Sequence, residues 1–217
     1  MSLDYFQQHL QNIYEIDIPQ RANDFLITDA VLANLITGAQ YDSPSREQLL
    51  IAERHDGLDI SIYISKEVMQ MYEQASPEQL LHNGSFDEFC LTLEGVSHFI
   101  YLIWNASRDR HVTLFEMELQ AEIDKFIFLH AMNRKTDMKY VSDNIGNWLF
   151  DQHQLIANLS QDEKERYERA NYYAGKYCLR LKRQYQLAEL NNDLLNELRR
   201  FYRFGREEKL RYINKIH

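Results

Sequence analysis

Chain breakers are scarce in this sequence, with seven glycines and three prolines among 217 residues. So few stops argue against a many-turned β-sandwich and favour long helices. Cysteine is scarcer still. Cys90 and Cys178 alone provide no disulfide framework and no cysteine-based zinc site. Long apolar runs are missing as well: the longest uncharged one, Phe99–Trp104, is far short of the ~20 residues that span a bilayer. The first twenty residues carry Asp4, Gln7, Gln8, Gln11, Glu15 and Asp17, so they lack the apolar core of a signal peptide. These absences predict a cytoplasmic chain without membrane insertion. The glycines stand apart at 38, 57, 84, 95, 146, 175 and 205, so no glycine loop exists to cradle a phosphate.

What is present is ample material for a core. The chain is 45% hydrophobic and 12% aromatic, which is incompatible with wholesale disorder. Its net charge of −9 is unevenly spread. From Lys176 onward there are eleven Lys/Arg and five Asp/Glu, so the first 175 residues carry −15. A basic tail of this kind either contacts nucleic acid or neutralises the acidic body. Glu189, Asp193, Glu197, Glu207 and Glu208 interrupt the basic run and favour neutralisation.

Leu3, Phe6, Leu10 and Ile13 recur at helical spacing and predict a helix over residues 3–14. A second is predicted around Phe25–Ile36, ended by Gly38, with Gly38–Ser45 as a linker. Residues 48–64 read as a β-hairpin: Leu58, Ile60, Ile62 and Ile64 alternate with Asp59, Ser61 and Tyr63 beyond an Asp56-Gly57 turn. Ser65 precedes another helical stretch, and Ser76-Pro77 offers a further start. Ser85…Glu88, Thr113…Glu116 and Ser160…Glu163 match the capping box, in which hydroxyl and carboxylate each satisfy a free backbone N–H. The helices expected from these starts are Phe86–Ser107, Leu114–Arg134, Asn147–Leu159, Gln161–Gln186 and Leu187–Phe204. The fold class is therefore mainly α, a bundle-like helical domain with one β-hairpin (about residues 48–64) packed on it. Residues 1–160 would form the body around a central helix pair, 86–134. Residues 161–217 would be a tyrosine-rich, basic helical segment packed on the same domain.

The helix from Phe86 is apolar nearly all round, so its polar exceptions stand out. Glu94 and His98 share one stripe, one turn apart. On the next helix Glu118 and Glu122 lie between two apolar faces. These four could in principle deliver ligands to a metal centre in a bundle. Ferritin-like sites use Glu-x-x-His, however, whereas this chain has Glu-x-x-x-His and no second copy. The expectation is a buried hydrogen-bond network with no metal and no cofactor. Neither Cys178 nor Ser97 beside His98 has the elbow glycines or third member of a nucleophilic site, so no catalytic residue is assigned.

In the C-terminal third, Tyr and Arg alternate, and Leu187, Leu190, Leu194, Leu198 and Phe201 make an amphipathic stripe. Tyr177, Arg180, Arg183, Leu194, Leu198, Arg199 and Arg203 are the candidate interaction residues. Tyr and Arg are enriched at protein interfaces. The leading expectation is a non-enzymatic interaction or regulatory module that binds a protein partner or itself, self-associating through these helices. One alternative is nucleic-acid binding by the basic-aromatic segment, where rings stack bases and cations neutralise phosphates. A second is a metal-dependent helical enzyme using the Glu/His set.

Overall fold

The structure, a computed structural model, describes residues 3–37, 46–55, 57–74, 79, 86–136, 145–151 and 160–215. Helix dominates these residues, with one small three-stranded sheet. Packing divides the chain into two compact units: Met1–His9 with Asp17–Ile103, and Leu10–Ile16 with Trp104–His217. The expected central pair, α4 (Phe86–Ala106) and α5 (Leu114–Thr136), is largely divided between them.

In the first unit, β2 (Glu47–Arg54) and β3 (Gly57–Ile64) form the expected antiparallel hairpin, in register from Glu47↔Ile64 to Arg54↔Gly57. A third strand was not foreseen. Leu26–Ile27 (β1) pairs parallel with Ile62 and Tyr63. The helix expected from Phe25 instead begins at Ala30, as α2 (Ala30–Thr37). Asp29 explains the shift, because its Oδ1 accepts the amides of Val31 and Leu32 at 2.8 and 3.2 Å. Its cap frees the preceding residues for a 3-10 turn (Ala22–Phe25) and β1. Both faces of β3 are covered. Ile62 and Ile64 are fully buried, while Tyr63 joins Ala33 and Leu50 in a separate small cluster beneath α2. Phe6, at the start of α1 (Asp4–Tyr14), stacks on Tyr72 of α3 (Lys66–Gln74) and meets Phe89 of α4 edge-on.

In the second unit, α5 packs along α6 (Gln161–Gln184). The Thr113–Glu116 and Ser160–Glu163 capping boxes are both formed, with cap amides donating to the glutamates at 2.9 Å. Ser85, Ser76-Pro77, the Gly38–Ser45 linker and residues 152–159 of the expected Asn147–Leu159 helix lie outside the described residues. What is described there is a π-helical turn, Asn147–Asp151. The expected helix over Leu187–Phe204 is broken. Leu187–Glu189 is a 3-10 turn, Leu190 takes a left-handed φ of 44°, and Asn191 caps α7 (Asn192–Tyr202) by accepting the Leu194 amide. The last helix, α8, runs Arg206–Lys215.

Candidate functional site

Three regions of the molecule concentrate unusual chemistry. The first is α2. Its sequence, AVLANLIT, carries no charge, and it turns its alanines inward: Ala33 is buried, and Ala30 packs against the cluster of Ala33, Leu50 and Tyr63. The large side chains point out, with Val31 68%, Leu32 45%, Leu35 74% and Ile36 41% exposed. Val31 and Leu35, and Leu32 and Ile36, are one turn apart, so they form an apolar ridge along the helix. Single exposed apolar residues are ordinary on a protein surface; a continuous ridge of four is not.

The second region joins the sheet to α4. Glu47, at the head of β2, brings a carboxylate to Glu94 and His98, and one ligand-type atom from each lies within 4.8 Å of the others. His98 Nδ1 is 3.6 Å from Glu47 Oε1. Glu47 is only 9% exposed and His98 is buried, whereas Glu94 is half-buried. Gly95 makes this approach possible. A Cβ there would lie 3.1 Å from Glu47 Oε1 and 3.2 Å from Ile62 Cγ2, tighter than a side chain tolerates without displacing its neighbours. The mid-helix glycine costs up to about 1 kcal/mol relative to alanine, and it admits the carboxylate.

Helical spacing groups Glu94 and His98 with Glu118 and Glu122. The structure places the latter two in the second unit, each with its own cation. Arg166 Nε stands 3.9 Å from Glu118, and Lys125 Nζ donates to Glu122 at 2.6 Å. Glu47 is not apparent from spacing, because it opens the hairpin's first strand and nothing in the pattern links it to a residue 47 positions on. Cys178 is buried, and burial followed by the Glu122 and Asp124 charges pushes its thiol up. A thiol held neutral in this way is a poor nucleophile.

The third region is a buried polar network in the second unit. Asp124 accepts a short hydrogen bond from the Tyr14 hydroxyl and another from Gln120 Nε2 at 2.8 Å. Gln120 Nε2 also donates to the Tyr14 oxygen at 3.0 Å, and Gln120 Oε1 accepts from Lys209 Nζ at 2.8 Å. Lys209 is 0% exposed. Burial lowers its ammonium to about 7, against the upward pull of Glu116 and Asp124. Tyr14 is pushed well up by burial and then by the neighbouring Asp124.

The C-terminal candidates are largely consumed inside the same unit. Tyr177, Leu194 and Leu198 are buried in its core, and Tyr177 stacks on Phe201 at 4.0 Å. Glu197 gathers Arg180 at 2.5 Å, Arg200 at 2.7 Å and the Tyr212 hydroxyl at 2.8 Å. Arg199 donates to the Ile13 carbonyl and pairs with Glu15, while Arg203 donates to the carbonyls of Tyr14 and Glu15. Arg183 remains exposed. Glu197 could have been found from sequence, since it interrupts the Leu194–Leu198–Phe201 stripe on its apolar side.

Compared with known proteins, the chain matches no family model, and no curated protein or solved structure is detectably similar to it. Among the described residues, no helix is long and apolar enough to cross a membrane.

Proposed function

We propose that the chain is a non-enzymatic interaction module that associates with a second copy of itself through the apolar ridge of α2. The observation that carries this reading is the inverted helix. A helix that spends its alanines on the protein and its valine, leucines and isoleucine on water leaves apolar surface whose burial would stabilise a complex by roughly 25 cal/mol per Å². A second copy suits the ridge because α2 is free of charge on a chain of net −9. Two ridges meeting about a two-fold axis bring no like charges together, whereas acidic surface elsewhere repels its own image. The C-terminal helices support self-association less well, since Leu194 and Leu198 already fill their own unit. The nucleic-acid alternative weakens for a related reason: Arg180, Arg199, Arg200 and Arg203 are engaged by carboxylates and carbonyls of the chain.

Sedimentation velocity from 1 to about 100 µM, a span chosen to bracket a micromolar Kd, tests this. The wild type is expected to shift from monomer to dimer. Val31→Asp with Leu35→Asp is expected to remain monomeric, with unchanged far-UV circular dichroism. A wild type that stays monomeric throughout, or a double variant that still dimerises, would overturn the proposal.

A further inference from the structure

From a separate part of the first unit, and independently of the α2 reading, we infer that Glu47, Glu94 and His98 form a divalent-cation site suited to zinc. Among the described residues this is the place where three His, Cys, Asp or Glu side chains converge to within 4.8 Å. The donor set, one imidazole and two carboxylates, is one that zinc takes readily, with three protein ligands and a fourth position left for water. Imidazole in the set disfavours magnesium and calcium, which take oxygen donors.

Distance adds a second argument. The 3.6 Å between His98 Nδ1 and Glu47 Oε1 is long for a hydrogen bond. It lies at the long end of the edge of a coordination tetrahedron, about 3.3–3.6 Å for bonds of ~2.0–2.2 Å. Two carboxylates and one neutral imidazole would together match the charge of a bound dication.

The cradle is built into the backbone. Residue 95 has no side chain where Glu47 approaches, and a Cβ there would press on the carboxylate. The two elements that carry the ligands are fixed independently. The ladder to β3 holds Glu47 opposite Ile64, and one helical turn separates Glu94 from His98 on α4. Zinc at this point would tie the sheet to the helix within the first unit, as a structural metal does.

The test uses the full chain, stripped with a chelator and dialysed. Titration with zinc chloride against a chromophoric competitor is expected to show one zinc per chain. Glu47→Gln, Glu94→Gln and His98→Gln combined are expected to weaken binding at least about 100-fold. No stoichiometric zinc on the wild type, or undiminished binding by the triple variant, overturns the inference. Should the triple variant fail to fold, zinc-edge X-ray absorption of the wild type decides. One imidazole with carboxylate oxygens in the first shell supports this site. Two or more imidazoles would place the metal elsewhere among the chain's eight histidines and overturn it.

Discussion

The first unit gathers two carboxylates around a single imidazole, whereas the second buries a lysine, an aspartate, a glutamine and a tyrosine in one hydrogen-bonded set. In the second set Gln120 serves as a hinge of polarity. Its amide nitrogen faces Asp124 and Tyr14, and its oxygen faces Lys209. One amide thus joins a buried acid to a buried base, and Asp124 with Lys209 carries no net charge when both are ionised. The Glu47–Glu94–His98 set is built the other way: two carboxylates and one imidazole converge where a glycine leaves the helix backbone bare. A hydrogen-bonded network of the first kind rigidifies its core, whereas the second offers donors of the kind a cation takes.

The largest expected effect comes from opening this network. Asp124→Ala leaves the Tyr14 hydroxyl without its acceptor, takes one acceptor from the Gln120 amide and removes one of the two anions whose charge acts on the buried lysine amine. Breaking a buried, charge-containing set of this kind costs about 4 kcal/mol. Urea denaturation of wild type and variant, followed by tryptophan fluorescence, measures it. A loss below about 1 kcal/mol, the scale of an ordinary surface change, would mean that the network is decorative. Glu94→Gln should cost far less in the absence of metal, because Glu94 is half-buried.

The second effect follows from the Lys209 ammonium, lowered from its ordinary value to about 7 in the folded chain. Below pH 7 both folded and unfolded states hold the proton, and the folded state bears the full cost of burying it. Between pH 7 and about 10 the unfolded chain keeps the proton and the folded chain has lost it. Unfolding then takes up a proton, so stability rises with pH by up to about 1.4 kcal/mol per unit. From pH 7 to pH 9 the expected gain is about 2 kcal/mol, read as a shift in the urea midpoint. The rise should be absent in Lys209→Met. Above pH 9 the trend should bend down, because Cys178 and Tyr14 are both pushed up in the folded state and resist ionisation there.

How far these features are legible in the residues themselves depends on how local their causes are. The Thr113 and Ser160 caps, the hairpin and the Phe86 and Leu114 helices rest on interactions within a few residues, and all are visible in spacing alone. The burial of Glu118 and Glu122 follows from the two apolar faces that flank them. Asp29 is a local signal that the apolar run from Phe25 hides: the helix expected from Phe25 starts at Ala30. Lys209 is not: it sits in a strongly charged segment, and it donates to Gln120, 89 residues away. Glu47 is hidden for the same reason, since only β2–β3 pairing and the opening at Gly95 bring it to His98. The exposed ridge of α2 runs against its own pattern, because spacing turns the apolar stripe Val31, Leu32, Leu35 and Ile36 inward, whereas the structure turns Ala30 and Ala33 inward instead.

The smallest effect bears most directly on the contrast between the two clusters. Gly95→Ala gains about 1 kcal/mol of helix propensity and introduces a methyl group 3.1 Å from Glu47 Oε1 and 3.2 Å from Ile62 Cγ2. Overpacking of this kind costs about 1–3 kcal/mol, so the net change in the metal-free chain should be a loss of about 1 kcal/mol. In a Glu47→Ala background the carboxylate no longer occupies that space, and only the Ile62 methyl remains to yield. There the same Gly95→Ala change should be neutral or stabilising, giving a coupling energy of at least about 1 kcal/mol in a double-mutant cycle. Additive effects would mean that Gly95 serves Ile62 alone and that Glu47 has not been admitted to the helix by design. A coupling of the expected sign would show that the helix gives up stability to hold a carboxylate beside His98, a sacrifice the self-contained network around Gln120 does not require.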